Sequence, residues 1–277
     1  METSDHIRQG TLDLLVRPMA IVLAVLGAFS AKAGGQAAPP TGRDLLQQMH
    51  DAYRGRWYTS LTFTQKTTAR GADGTETVTT WYESVRHSDV SGTQLRIDIG
   101  DPAVGNGVLY TADSLWVMRA GKLAAARKGG NALLPLIEGV YVQPVERTVA
   151  ELAPTGVDLA RAVLGSRWND RPVRIVGATS LVDTTSPQFW VDAERNIVVR
   201  AILVPAPGAP QMDMRLDGVV PLAGGWLATK CTFFVAGVLS QAEEYGDWKA
   251  NVALPAALFD VASWTTAPHW AAKARAP

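Results

Sequence analysis

Four histidines, one cysteine and a few neighbouring carboxylates are the residues of this chain that could do chemistry. His6, His50, His87 and His269 lie far apart and no H-E-x-x-H joins them, so the usual zinc set is not encoded. Cys231 stands alone, which excludes an intrachain disulfide and a Cys-cluster metal site. In T-K-C-T-F-F it shares a strand face with Thr229, Phe233 and Val235, the setting of a buried thiol and not of a nucleophile. Asp98 with Asp101, Asp192 with Glu194, and Glu243 with Glu244 are near-neighbours, each expected at a turn or on a strand exterior as surface charge. There is no D-x-D-x-D-G loop, Walker A, G-x-G-x-x-G after a strand or G-x-S-x-G elbow, and Gly129-Gly130 and Gly224-Gly225 read as turns. The sequence therefore predicts no metal, no cofactor and no enzyme.

Composition narrows the rest. The 277 residues carry 26 basic and 26 acidic side chains and are 47% hydrophobic, which excludes a disordered chain. Phosphate binding wants a basic excess that is absent, so no nucleic-acid partner is expected. Nine Trp stand against six Tyr and six Phe. Many large apolar residues, among them Trp57, Phe63, Trp81, Trp116, Trp190 and Trp226, fall on expected strands. They make either an ordinary core or a lipid-lined pocket. An acyl chain binds by burying methylenes, at about 0.8 kcal/mol each, and needs no polar motif.

The elements that would position these residues follow from periodicity. Leu45, Leu46, Met49 and Tyr53 after Thr41 predict an amphipathic helix over 42–55. The period then becomes two: a long hairpin from Leu61 to His87 turns at Gly71–Gly74, and short strands continue to Arg127. Residues 131–164 predict short apolar helices that must lie on the sheet. Strands resume from Arg171 to Ala250. About ten or eleven antiparallel strands result, and a sheet of that size tends to curl.

Residues 1–33 read as a secretory signal: Arg8 and Arg17, an uncharged run from Met19 to Phe29, then Ala31-Lys32-Ala33. The run is shorter than the roughly 20 residues of a membrane-spanning helix. A linker over 34–41, one domain over 42–262 and a disordered tail over 263–277 complete the expectation.

The order of short motifs resembles the periplasmic lipoprotein-carrier family, the LolA-like and LolB-like proteins. Phe63-Thr64-Gln65-Lys66 matches the F-T-Q-K of that family's first strand. Trp81 to Arg86, W-Y-E-S-V-R, is similar to its second strand. Leu109 to Trp116, L-Y-T-A-D-S-L-W, is similar to a strand-turn-strand in which D-G-x-x-L-W recurs. Phe189 to Asp192 and Leu258-Phe259-Asp260 resemble later elements, so the likeness runs from about residue 43 to 260. It implies an incomplete antiparallel β-barrel, a curled sheet closed by a helical lid, over a cavity for acyl chains.

The resemblance implies a lid-controlling arginine after the second strand's Trp, a position Arg86 matches. The expected cavity lining is Leu61, Phe63, Trp81, Leu109, Trp116, Phe189 and Trp190; the expected lid is Leu133, Leu134, Leu136, Ile137 and Val140. The expected function is a monomeric periplasmic carrier of lipoprotein or other lipid acyl chains, working between an inner-membrane release complex and an outer-membrane receptor. Two alternatives stand beside it. One is an envelope-assembly or lipid-sensing module with a filled core. The other is a hydrolase whose two carboxyls, in opposite environments, face one cleft.

Overall fold

Thr41 opens α1, Gly42–Tyr53: its hydroxyl accepts from the Asp44 amide, and the Asp44 carboxylate accepts from the Thr41 amide. This capping box satisfies donors that a helix start leaves unpaired. Leu45, Leu46, Met49 and Tyr53 fall on one face and are buried. The computed structural model describes residues 38–88, 91–204 and 208–271. The expected signal and the linker up to residue 37 lie outside the described residues.

Six strands follow: β1 Ser60–Arg70, β2 Glu76–Ser88, β3 Gly92–Ile99, β4 Gly107–Tyr110, β5 Ser114–Arg119 and β6 Lys122–Lys128. Then come α2 Leu134–Ile137, a 3-10 turn at Gly139–Tyr141 and α3 Val145–Leu152. The second run is β7 Leu164–Trp168, β8 Arg171–Val176, β9 Gln188–Asp192, β10 Ile197–Leu203, β11 Met212–Asp217, β12 Val220–Leu222, β13 Gly225–Leu227, β14 Lys230–Val235 and β15 Val238–Ala250.

Thirteen strands form one antiparallel sheet in the order β6-β5-β4-β3-β2-β1-β15-β14-β11-β10-β9-β8-β7, and β12 and β13 pair separately. The chain walks from the centre to one edge, crosses to the other, and walks back until β15 pairs with β1. The crossing segment, which carries α2 and α3, must therefore traverse the sheet from edge to edge. That connection is what makes it a lid. The sheet is an incomplete barrel, since β6 and β7 do not pair.

Two expectations are corrected. The interval expected to be helical up to residue 164 ends earlier: Ala162 bridges to Thr41, and Leu164 begins β7. The strand expected from Trp226 to Ala236 divides into β13 and β14, and β7 and β12 were not expected, so the strands among the described residues number fifteen where about ten or eleven were expected. Strands of three to five residues are too short for a period of two to reveal.

Side chains alternate between the two faces of the sheet. Leu61, Phe63 and Gln65 share the helix-covered inner face with their partners Val85, Glu83 and Trp81. The outer face has its own cover. Leu109 and Met118 pack there with Leu258, Phe259 and Trp264, which follow β15. Arg96, 1% exposed, anchors this strap: it pairs with Asp98 at 2.7 Å, donates to the Leu258 and Trp264 carbonyls at 2.9 Å, and lies 3.8 Å from the Trp264 ring centre. His269 Nε2 lies 3.0 Å from Asp98, and Trp270 donates to Ser84. Residues 263–271 are thus a packed strap and not the expected loose tail; residues 272–277 lie outside the described residues.

A lidded apolar cavity as the candidate functional site

Between lid and sheet lies a cavity of about 110 Å³. Phe63, Val85 and Leu95 wall it from β1–β3, and Ile197, Val198 and Leu216 from β10 and β11. Strands β3 and β10 are six places apart in the sheet, a span of about 29 Å if the sheet were flat. That both wall one small cavity shows how far the sheet curls. Trp226 and Leu227 of the β12–β13 hairpin close one side, and Leu134, Ile137 and Glu138 form the roof. The hairpin fits closely: a Cβ on Gly225 would stand 2.8 Å from the Trp57 ring.

The lid is held by burial and by a polar latch. Leu133, Leu134, Leu136 and Val140 are all buried. Glu138, between α2 and the 3-10 turn, accepts from Tyr58 Oη at 2.6 Å and Trp57 Nε1 at 3.2 Å. His87 Nε2 of β2 stands 3.3 Å from the same carboxylate, paired by charge when protonated but off-axis for a hydrogen bond. Burial, and then the Glu138 charge, hold the Tyr58 hydroxyl well above its ordinary pKa, so it stays a donor. Tyr141 stacks on Trp57 at 3.9 Å and accepts from the Val198 amide at 3.1 Å, fixing the lid to β10.

Glu83 of β2 also lines the cavity, 5% exposed. Among the described residues no side chain or amide donates to its carboxyl. Burial, and then the neighbouring Glu243 carboxyl, push its pKa well above the ordinary value. Glu243 is raised too, chiefly by burial, against donors from Tyr245 and Gln241. The two carboxyls are therefore shifted the same way. They lack the divided environments of an acid and a base.

Of the expected lining residues, Phe63 reaches the cavity, while Leu61 is sealed in the core on the same face. Trp81, opposite Gln65, shares that face without reaching the cavity. Phe189 pairs with Val176, whose side chain packs under α1 at Gly42, so it too is core. Leu109 and Trp116 are corrections: they pair with each other on the outer face, under the strap. Trp190 is another, lying on the outer face against Trp168 at 5.2 Å and under Arg200 at 4.6 Å. Of the expected lid residues, Leu134 and Ile137 roof the cavity, while Leu133, Leu136 and Val140 bury the lid.

Arg86 is also a correction. Its neighbours Val85 and His87 point inward, so alternation sends Arg86 outward. It donates to Gln94 and lies 4.4 Å from the Phe259 ring centre, on the face opposite the lid. Three carboxylates expected at the surface are buried: Asp98 against Arg96, Asp192 against Arg171 at 2.5 Å, and Glu243 on the inner face. Cys231 is buried as expected, its thiol held well above the ordinary pKa first by burial. Glu83, Glu138 and Tyr58 escaped the sequence reading. Glu83 left one signal: it stands two residues from both Trp81 and Val85, a polar side chain in an apolar alternation.

No family model and no curated protein matches the sequence. Solved structures do match. A DUF1329 family protein from Desulfovibrio piger ATCC 29098 is 12% identical with a TM-score of 0.58, over 82% of this chain and 100% of that one. A domain assigned to outer-membrane lipoprotein sorting, from Vibrio parahaemolyticus, is 12% identical with a TM-score of 0.56, over 81% and 98%. A LolA superfamily protein from Nitrosomonas europaea is 16% identical with a TM-score of 0.48, over 79% and 97%. The chain thus carries the fold of that lipoprotein-sorting domain and of the DUF1329 protein: a curled, unclosed antiparallel sheet under a helical lid.

Proposed function

We propose that this chain is a non-enzymatic carrier that takes acyl chains of lipoproteins, or of another lipid, beneath its lid. The observation that carries this reading is the apolar cavity roofed by a segment latched through one carboxylate, Glu138. The cavity, about 110 Å³, is smaller than the roughly 150 Å³ that accommodates a benzene ring. An acyl chain enters only if the lid leaves.

The exchange is close to balanced. Burying Leu133, Leu134, Leu136 and Val140 contributes about 6–12 kcal/mol. A chain of about 14 methylenes taking their place contributes about 11 kcal/mol. Loading and release then follow small differences in affinity between carrier, donor and acceptor. A periplasmic location is supported by the export-like N-terminal sequence and by the lipoprotein-sorting assignment of the Vibrio domain. Donor and acceptor would be an inner-membrane release complex and an outer-membrane receptor, with the carrier a monomer between them.

The test is to purify the protein from a bacterial envelope, extract it and identify bound lipid by mass spectrometry, then titrate it with a fluorescent alkyl probe. Co-purifying acyl lipid and saturable binding are expected, with faster uptake in Glu138→Ala, whose latch is gone. Neither bound lipid nor saturable binding of the probe or of a triacylated lipopeptide would contradict the carrier.

A further inference from the structure

Glu83 is a nearly buried carboxyl that lines the cavity and has no protein donor among the described residues. Leaving such a group unsatisfied costs about 1–3 kcal/mol when neutral and more when ionised. The other polar groups at the cavity are occupied: Glu138 accepts from Tyr58 and Trp57, Tyr141 accepts from the Val198 amide, and Tyr245 donates to Glu243. No Lys, Arg or His lines the cavity among the described residues. Glu83, 5% exposed, brings a carboxyl with no protein donor among the described residues to a space walled largely by apolar side chains such as Phe63, Val85, Leu95 and Ile197.

We propose that Glu83 is the head-group contact of this site, and that its carboxyl donates a hydrogen bond to the carbonyl oxygen at the head of a bound acyl chain. This rests on the carrier reading and deepens it. The ligand class is an acyl ester, amide or acid whose first carbonyl sits inside the cavity, and a bare hydrocarbon is the poorer ligand. Burial and the adjacent Glu243 favour the protonated carboxyl, the form with an O–H to give. An ester or amide carbonyl accepts and does not donate, so it complements that form. The second carboxyl, Glu243, accepts from Tyr245 and Gln241 and does not line the cavity, so it does not compete for the same oxygen.

Three probes test it: methyl dodecanoate, pentadecane of equal heavy-atom count, and a long-chain primary amine. Each competes with a fluorescent alkyl probe on the full-length protein. The readout is the ester-to-alkane affinity ratio, compared between wild type and variants so that solubility cancels. Glu83→Leu is expected to lower that ratio about tenfold. Glu83→Gln, whose amide N–H still donates, is expected to keep it. Glu83→Met is the second aliphatic variant should Glu83→Leu fail to fold. An unchanged ratio in the aliphatic variant overturns the proposal, as does a wild type that takes the amine over the ester with a preference Glu83→Gln abolishes. Binding of none of the probes by wild type instead overturns the carrier reading, and this inference with it.

Discussion

Glu83 and Glu138 line the same cavity and differ in the donors around them. Glu138 has two hydrogen-bond donors and a histidine, whereas Glu83 has no donor among the described residues and a second carboxyl nearby. The consequence of the raised Glu83 pKa can be read in stability. Unfolded, Glu83 titrates near its ordinary value of 4.5; folded, it holds its proton to higher pH. Its contribution is therefore full below pH 4.5 and is lost as pH rises through the folded value. Glu243 shifts in the same direction, and Tyr110, Tyr245 and Cys231, the other titratable groups that feel Glu83, are raised from already high values. Urea unfolding of wild type should show stability falling above pH 4.5. Glu83→Gln should flatten that fall by up to about 1.4 kcal/mol per pH unit. An identical profile in the variant would show that Glu83 titrates normally.

At the scale of elements, the two covers of the sheet separate two roles. The inner cover is the latched lid; the outer is the strap anchored by Arg96. Arg86 belongs to the outer system through Gln94 and Phe259. Arg86→Leu should cost about 1–2 kcal/mol of stability and leave alkyl-probe affinity and uptake rate unchanged. A changed uptake rate would return Arg86 to control of the lid. Much of this level was legible in the sequence. Thr41 and the Leu45–Tyr53 spacing define α1, the Gly71–Gly74 turn defines the β1–β2 hairpin, and the apolar run from Leu133 to Val140 defines the lid. Which face of each strand turns inward was not legible. A period of two divides residues into two sets without saying which is covered, and here both faces are covered. Leu109, Trp116 and Trp190 are apolar because the strap and the Arg200 side chain cover them, not because they line a cavity. The Glu138 latch joins residues about eighty positions apart, a pairing that only the folded crossover creates.

At the scale of the molecule, one topological fact underlies the rest: the chain leaves the sheet at β6 and re-enters at the far edge, β7. The connection passes over the curled face, so a roof is built into the route of the chain. The sheet beneath is held by continuous hydrogen-bonded ladders from edge to edge, while the roof is held by a few apolar side chains, the latch and the Tyr141 contacts to Trp57 and Val198. Opening should therefore be local and cost much less than unfolding. Hydrogen–deuterium exchange of the full-length protein, with and without a triacylated lipopeptide, tests this most directly. If acyl chains take the place of the lid, amides of residues 133–143 should lose protection on loading while β1, β2 and β15 keep theirs. Bound lipopeptide with the lid equally or better protected would contradict the account.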